Sequence, residues 1–125
     1  MTALLNDEIV GFVCTSLTTS DLVTDESMSV HEPTGKTICL HSVCTSPDHR
    51  EKGIATQLLR QWIDRIKIVN EEFRKEHDGE KKYNRIAMIS RPALLGLYGR
   101  VGFKELGISP IIHGPDPWID AVLDL

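Results

Sequence analysis

Positive charge is in short supply in this chain, and the shortage narrows what it can bind. Fourteen Lys and Arg stand against 18 Asp and Glu, a formal net charge of −4. That is too little for the broad cationic surface that sequence-independent contact with phosphate backbones requires, so nucleic acid is not expected as a partner. Long hydrophobic runs are also missing: nothing approaches the roughly 20 apolar residues of a membrane span. The first residues, Met1-Thr2-Ala3-Leu4-Leu5-Asn6-Asp7-Glu8, carry neither a basic leader nor an apolar stretch. A cytoplasmic protein with no membrane partner is the expectation. Cys14, Cys39 and Cys44 are odd in number and have no CxxC spacing, so neither a disulfide framework nor a zinc knuckle can be read, and free thiols are expected. The five histidines are scattered singly. Without a His-x-x-x-His pair on a helix there is no case for a metal site.

What is present fits one soluble globular domain. Hydrophobic residues make up 41% and charged residues 26% of 125 residues, and a chain of that size hides roughly two thirds of its unfolded surface. Thr2 to Leu5 and Ile9 to Cys14 read as the arms of a hairpin around Asn6-Asp7-Glu8. Thr19 to Lys36 turns to Ser, Thr, Asp, Glu, Pro and Gly, predicting an unusually long exposed loop, and such loops are often functional. Thr37 to Cys44 is a central strand by its β-branched and apolar content, with Cys39, His41 and Val43 on one face. Beyond Gly53 the apolar positions Ile54, Leu58, Leu59, Trp62, Ile63, Ile66 and Val69 keep a helical rhythm that fades around Glu72 to Glu76. Ile86 to Ser90 is a short buried strand, and Ser90-Arg91-Pro92 opens a second helix that runs to Gly102. Gly96 and Gly99 each cost that helix up to about 1 kcal/mol against Ala, which predicts a short one. Phe103 to Ile112 and Trp118 to Leu125 are the last strands, on either side of His113-Gly114-Pro115-Asp116-Pro117. The alternation predicts an α/β or α+β fold, a mixed sheet with helices on its faces.

The chemically informative segment is Arg50-Glu51-Lys52-Gly53-Ile54-Ala55-Thr56, where the central strand gives way to the long helix. The first amides of a helix lack internal partners, and small residues at Gly53 and Ala55 let a ligand approach them. Such an end favours a nearby anion by about 0.3 to 1 kcal/mol at exposed sites, and Arg50 and Lys52 add charge. A diphosphate fits that description, although a glycine before a helix is by itself more often only a turn.

This segment resembles the acetyl-CoA loop of the GNAT acetyltransferases, whose pattern is Gln or Arg, two residues, Gly, one residue, then Gly or Ala. Downstream, Leu97-Tyr98-Gly99-Arg100-Val101-Gly102-Phe103 is similar to that superfamily's Tyr-x-x-x-Gly-Phe. Leu40-His41-Ser42-Val43, His49-Arg50 and Trp118-Ile119-Asp120 further resemble the arylalkylamine (serotonin) N-acetyltransferase branch and its fungal polyamine-acetylating relatives. The likeness runs from about Ile9 to Leu125. It implies a single GNAT acetyltransferase domain over residues 1–125, with a mostly antiparallel central sheet and acetyl-CoA as acyl donor, and no metal. It also implies that Val43, Cys44 and Thr45 pair with the pantetheine arm, that Arg50, Glu51, Lys52, Gly53, Ile54, Ala55 and Thr56 wrap the diphosphate, that His41 takes the proton of the substrate amine, and that Tyr98 protonates the departing thiolate.

Elementary chemistry asks for the same residue types. An alkylamine with a pKa near 10 is neutral only about once in a thousand molecules at pH 7, so exposing its lone pair costs about 4 kcal/mol. A histidine can lower that cost, and positioned acid–base groups contribute about 10² to 10⁴ in rate. Against these readings, His41 could be a hydrogen-bonded structural residue, Tyr98 an amphipathic core residue, and Cys39 or Cys44 an acyl acceptor that nothing nearby marks as activated. Where the arylalkylamine branch has a second histidine two residues earlier, this chain has Cys39. Members also place a strand and two helices before the hairpin, forming part of the amine pocket, and only eight residues precede Ile9 here. The expectation is a shortened front and an open substrate site, walled by the 19–36 loop or by a second copy in a homodimer. A small primary amine, arylalkylamine or polyamine, is the expected acceptor. The alternatives are a protein lysine or N-terminus, or a non-catalytic acyl-CoA-binding module.

Overall fold

The computed structural model describes residues 2–5, 8–46, 53–111 and 114–125, with side chains from residue 11 onward. In chain order the elements are β1 (Thr2–Leu5), β2 (Glu8–Thr18), a 3₁₀ turn (Glu26–Met28), β3 (Thr37–Thr45), α1 (Ile54–Glu76), β4 (Arg85–Ser90), a 3₁₀ turn (Pro92–Leu94), α2 (Leu95–Arg100), β5 (Lys104–Ile108) and β6 (Ile119–Asp124). The strands form one six-stranded sheet in the order β1-β2-β3-β4-β6-β5. β3 and β4 are parallel, while β1 with β2, β4 with β6 and β5 with β6 are antiparallel. The expected mixed, mostly antiparallel sheet with helices is what forms.

By density of contacts the chain divides into two units, and β2 and β3 run through both. The first holds residues 1–14 and 42–82. Its helix α1 buries Leu58, Leu59, Trp62, Ile63, Ile66 and Asn70, one stripe at helical spacing, and leaves Ile68 exposed. Gly11 fixes how closely β2 approaches: a Cβ there would lie 2.8 Å from the Cys44 carbonyl oxygen and 3.6 Å from Leu58 Cδ2. A contact that close forces the backbone to move, so any larger residue at 11 separates the strand from the end of β3.

The second unit holds residues 15–41 and 83–125. Its core joins Cys39 of β3, Ala87 of β4 and Val122 of β6 to Val23 and Ile111 from the connecting segments. The register explains the grouping, since Cys39 pairs with Ala87 and Ala87 with Val122, a row across three strands. β2 extends to Thr18, beyond the Cys14 expected from hydropathy, and Ser16, Leu17 and Thr18 are held there by hydrogen bonds to other segments. Leu17 is held by the long loop at both its amide, which donates to His31 Nδ1 at 3.0 Å, and its carbonyl, which accepts from the Glu32 amide at 2.9 Å. Glu32 accepts from the Thr19 amide at 3.2 Å and the Thr18 hydroxyl at 3.1 Å, which hold its carboxyl below the usual range.

The second helix is as short as its glycines predict, six residues after a 3₁₀ turn with Pro92 at its start. The last two strands are shorter than expected. After Ile108 the chain leaves the ladder: the Ile111 amide turns to the Ser109 hydroxyl at 3.2 Å, while the Ser109 amide reaches back to the Trp118 carbonyl at 2.8 Å. Ile112 and His113, part of that expectation, lie outside the described residues, as do Pro47, Asp48 and His49.

Candidate functional site

In the first unit, α1 begins at Gly53, whose φ of 71° is left-handed. Only glycine takes that conformation at little cost, about 1 to 2 kcal/mol below other residues. A Cβ at Gly53 would meet nothing within 4 Å, so the approach is open. The first helical hydrogen bond runs from the Gln57 amide to the Gly53 carbonyl at 3.0 Å, which leaves the Ile54, Ala55 and Thr56 amides without partners inside the helix. Among the described residues no side chain caps this end, and no acid occupies the first turn. Cys44 and Ile54 both border Gly11, the Cys44 oxygen at 2.8 Å and Ile54 Cγ2 at 3.7 Å from where its Cβ would be. The unit therefore brings the half-buried Val43, Cys44 and Thr45 at the end of β3 to the same corner as Ile54. Of the expected cofactor residues, Arg50, Glu51 and Lys52 lie outside the described residues.

In the second unit, His41 is exposed on β3 and its Nε2 lies 2.6 Å from Ser16 Oγ on β2. Ser16 Oγ in turn reaches the Ser27 carbonyl of the long loop at 3.4 Å. The chain of groups has two proton arrangements. With a neutral ring protonated at Nδ1, Ser16 donates to Nε2; with a cationic ring, Nε2 donates to Ser16 and the serine proton turns to the Ser27 carbonyl. The loss of solvent beneath the ring lowers the His41 pKa from the ordinary histidine value. Cys39, in the place of a second histidine, is fully buried, and burial pushes its thiol pKa up. That thiol is suited neither to a proton relay nor to accepting an acyl group.

Tyr98 of α2 is buried, 8% exposed, with its ring edge-on to Phe103 at 5.9 Å. Its carbonyl accepts the amides of Val101 and Phe103, closing the helix into the Gly102-Phe103 turn. A cleft of about 450 Å³ in this unit lies elsewhere, at the start of β3 and β4 and the end of β6, where Thr37, Arg85 and Asp124 line it. Its Arg85–Asp124 ion pair, 2.7 Å, is internally neutralised, and the cleft contains neither His41 nor Tyr98. Among the described residues no three His, Cys, Asp or Glu are grouped as a metal site, and no helix is long and apolar enough to cross a membrane.

Two functional candidates were not apparent from the sequence. Ser16 lies beyond Cys14, where the strand was expected to end, and the placement of β2 beside β3 brings it to His41. Asp120 is 6% exposed with Oδ1 lacking a hydrogen-bond partner among the described residues, and desolvation raises its pKa.

A left-handed glycine opening onto a long helix, beside a strand end on a mixed sheet, is an arrangement whose unpaired backbone amides suit an anionic ligand. The chain belongs to the GNAT acetyltransferases, matching the acetyltransferase (GNAT) domain over residues 1–105. It is 24% identical over 106 residues to serotonin N-acetyltransferase of Mesocricetus auratus, covering 85% of this chain and 46% of that one. The chain thus spans about half the length of that relative. Among solved structures it is similar to a GNAT-like decarboxylase, GphF, in complex with isobutyryl-CoA, with a TM-score of 0.74, 14% identity and coverage of 98% and 76%. It is also similar to a Bacillus subtilis acetyltransferase in complex with CoA, with a TM-score of 0.65, 16% identity and coverage of 99% and 74%.

Proposed function

We propose that this protein is an acetyl-CoA-dependent N-acetyltransferase acting on a primary amine, an arylalkylamine or polyamine, as a single domain of the arylalkylamine branch. The observation that carries the reading is the open, uncapped start of α1 at Gly53. Its residues fit the cofactor: the Ile54, Ala55 and Thr56 amides would hold the diphosphate, with Arg50, Glu51 and Lys52 completing the loop. The β3 backbone at Val43, Cys44 and Thr45 would hold the pantetheine arm, because the registered pairing of β3 with β4 covers only Thr37 to Cys39. Bound there, acetyl-CoA supplies the activated acyl group as a thioester.

His41 takes the proton of the incoming ammonium. A depressed pKa keeps the ring neutral and receptive at physiological pH, and Ser16 holds it in place. The Tyr98 hydroxyl returns a proton to the leaving thiolate. The larger share of the rate comes from holding amine and thioester together.

A second reading has a specific observation in its favour, since the likeness to a GNAT-like decarboxylase supports a chain that binds acyl-CoA without acetylating amines. One experiment separates the two. The protein is mixed with acetyl-CoA and tryptamine, phenylethylamine, spermine or a lysine peptide, and free thiol is followed. Release with the small amines is expected; binding of CoA by calorimetry with no release from any acceptor would favour the second reading. Tyr98→Phe should lower turnover by about 10² while sparing acetyl-CoA affinity, and unchanged turnover would remove Tyr98 from the reaction.

A further inference from the structure

The 19–36 segment is fastened to the end of β2, and one of its carbonyls lies on the path to His41. Leu17 offers its amide and its carbonyl, which His31 Nδ1 and the Glu32 amide take up at 3.0 and 2.9 Å. The Glu32 carboxylate accepts from the Thr18 hydroxyl at 3.1 Å and from the Thr19 amide and hydroxyl at 3.2 and 3.1 Å. Gly35 completes the clamp. A Cβ there would overlap the Thr18 backbone, 2.7 Å from its nitrogen, so only glycine lets the returning chain lie so close.

The other end of the segment is anchored as well. Val23 lies in the core with Cys39, Ala87, Ile111 and Val122. Ser27 is buried and exchanges hydrogen bonds with Thr24: its amide donates to Thr24 Oγ1 at 3.0 Å, and the Thr24 amide donates to Ser27 Oγ at 2.8 Å. Between the two anchors the Ser27 carbonyl accepts from Ser16 Oγ at 3.4 Å, and Ser16 Oγ lies 2.6 Å from His41 Nε2. The serine hydroxyl has one proton, so when the ring is cationic and Nε2 donates to Ser16, that proton needs an acceptor on the far side. The Ser27 carbonyl is that acceptor only while the segment stays against β2, and at 3.4 Å a small retreat breaks the bond. Of the titratable groups on the surrounding elements, His31 and Glu32 are tied to β2, Asp25 and Glu26 are exposed on the segment, Cys14 is exposed on β2 and Cys39 is buried on β3. The ring itself is bonded to the neutral Ser16.

We propose that Glu32 and Gly35 are positioning residues for His41: by clamping the 19–36 segment to β2 they hold the Ser27 carbonyl where the Ser16 hydroxyl can turn to it as the ring takes up a proton. The inference deepens the acetyltransferase reading above, on which the role of His41 as base rests. The ring gains its proton at Nε2, and the serine keeps its own while reorienting it. Lifting the segment therefore makes the cationic ring less favoured and slows the step in which His41 accepts the proton of the amine.

The test follows the His41 ring by NMR titration without substrate, and kcat/KM by thiol release, in Glu32→Ala, Glu32→Gln and Gly35→Ala, each alone and combined with Ser16→Ala. Glu32→Ala and Gly35→Ala should move the His41 titration to lower pH and lower kcat/KM by about threefold, with acetyl-CoA affinity unchanged. Glu32→Gln keeps an oxygen for Thr18 and Thr19 and should retain most of the parent's behaviour, which separates the clamp from the loss of a charge. Combined with Ser16→Ala, the same substitutions should add nothing, because the hydroxyl that carries the effect is gone. A His41 titration that neither Glu32→Ala nor Gly35→Ala moves would overturn the role, as would a shift that persists in full without Ser16. If Glu32→Gln shifts His41 as far as Glu32→Ala while Gly35→Ala leaves it in place, the effect is one of charge and the clamp is overturned. Were no acceptor to release thiol, the acetyltransferase reading would fail separately, and the titration would still decide the positioning.

Discussion

The start of α1 and the His41 face of the sheet recognise by different means. At residues 53–56 what is offered is backbone: amides that helix geometry leaves unpaired, a glycine at φ 71° and an end that no described side chain caps. At His41 and Ser16 what is offered is side chains, brought together by two different strands. A backbone site is indifferent to most side chains provided its φ and its access survive, so it breaks at glycine. A side-chain site breaks when its chemistry changes, even if its backbone stays in place.

His41→Gln tests the second half of that contrast and should have the largest effect. The amide can still reach Ser16 but cannot accept a proton, so turnover should fall by about 10² to 10⁴ with acetyl-CoA affinity unchanged by calorimetry. Turnover that survives would place the base elsewhere. Gly53→Glu tests the first half. It adds a Cβ at positive φ and sets a carboxylate at the positive end of the helix, where it competes with a bound anion. CoA affinity should fall by about 10- to 100-fold, or about 1.4 to 2.8 kcal/mol. A variant that binds CoA as tightly as the parent would remove the backbone site.

The same contrast explains what could be read from the sequence. Gly53 and the α1 stripe are local, written in consecutive residues, and both appear where the periodicity puts them. The order of strands and helices was legible for the same reason. Ser16 was hidden because Thr15-Ser16-Leu17-Thr18 lacks the apolar alternation of a half-buried strand, and its strand character comes from β3 and from the loop held by His31 and Glu32. Asp120 could be noticed only as part of Trp118-Ile119-Asp120. Its burial depends on registers with Ile89 and Gly107, which no window of sequence contains. The Thr19 to Lys36 segment was expected as an exposed loop, but composition does not reveal that the Glu32 carboxylate fastens it to Thr18 and Thr19.

The smallest effect discriminates most finely between a histidine that is merely present and one that is positioned. Ser16→Ala removes a single hydrogen bond, a loss of about 1 kcal/mol, so kcat/KM should fall by roughly fivefold. Its pH dependence carries the sign. Activity requires the neutral ring, so kcat/KM rises with pH as His41 loses its proton, and desolvation centres that rise below the ordinary histidine value of 6.5. The Ser16 hydroxyl also accepts from the cationic ring, a charge-assisted bond that the neutral ring lacks. Without it the cation is less favoured, and the acid limb should move to still lower pH. Ser16→Thr keeps the hydroxyl and should restore both rate and profile. A fivefold loss with the acid limb unmoved would mean that Ser16 supports the fold of β2 and not the ionisation of His41.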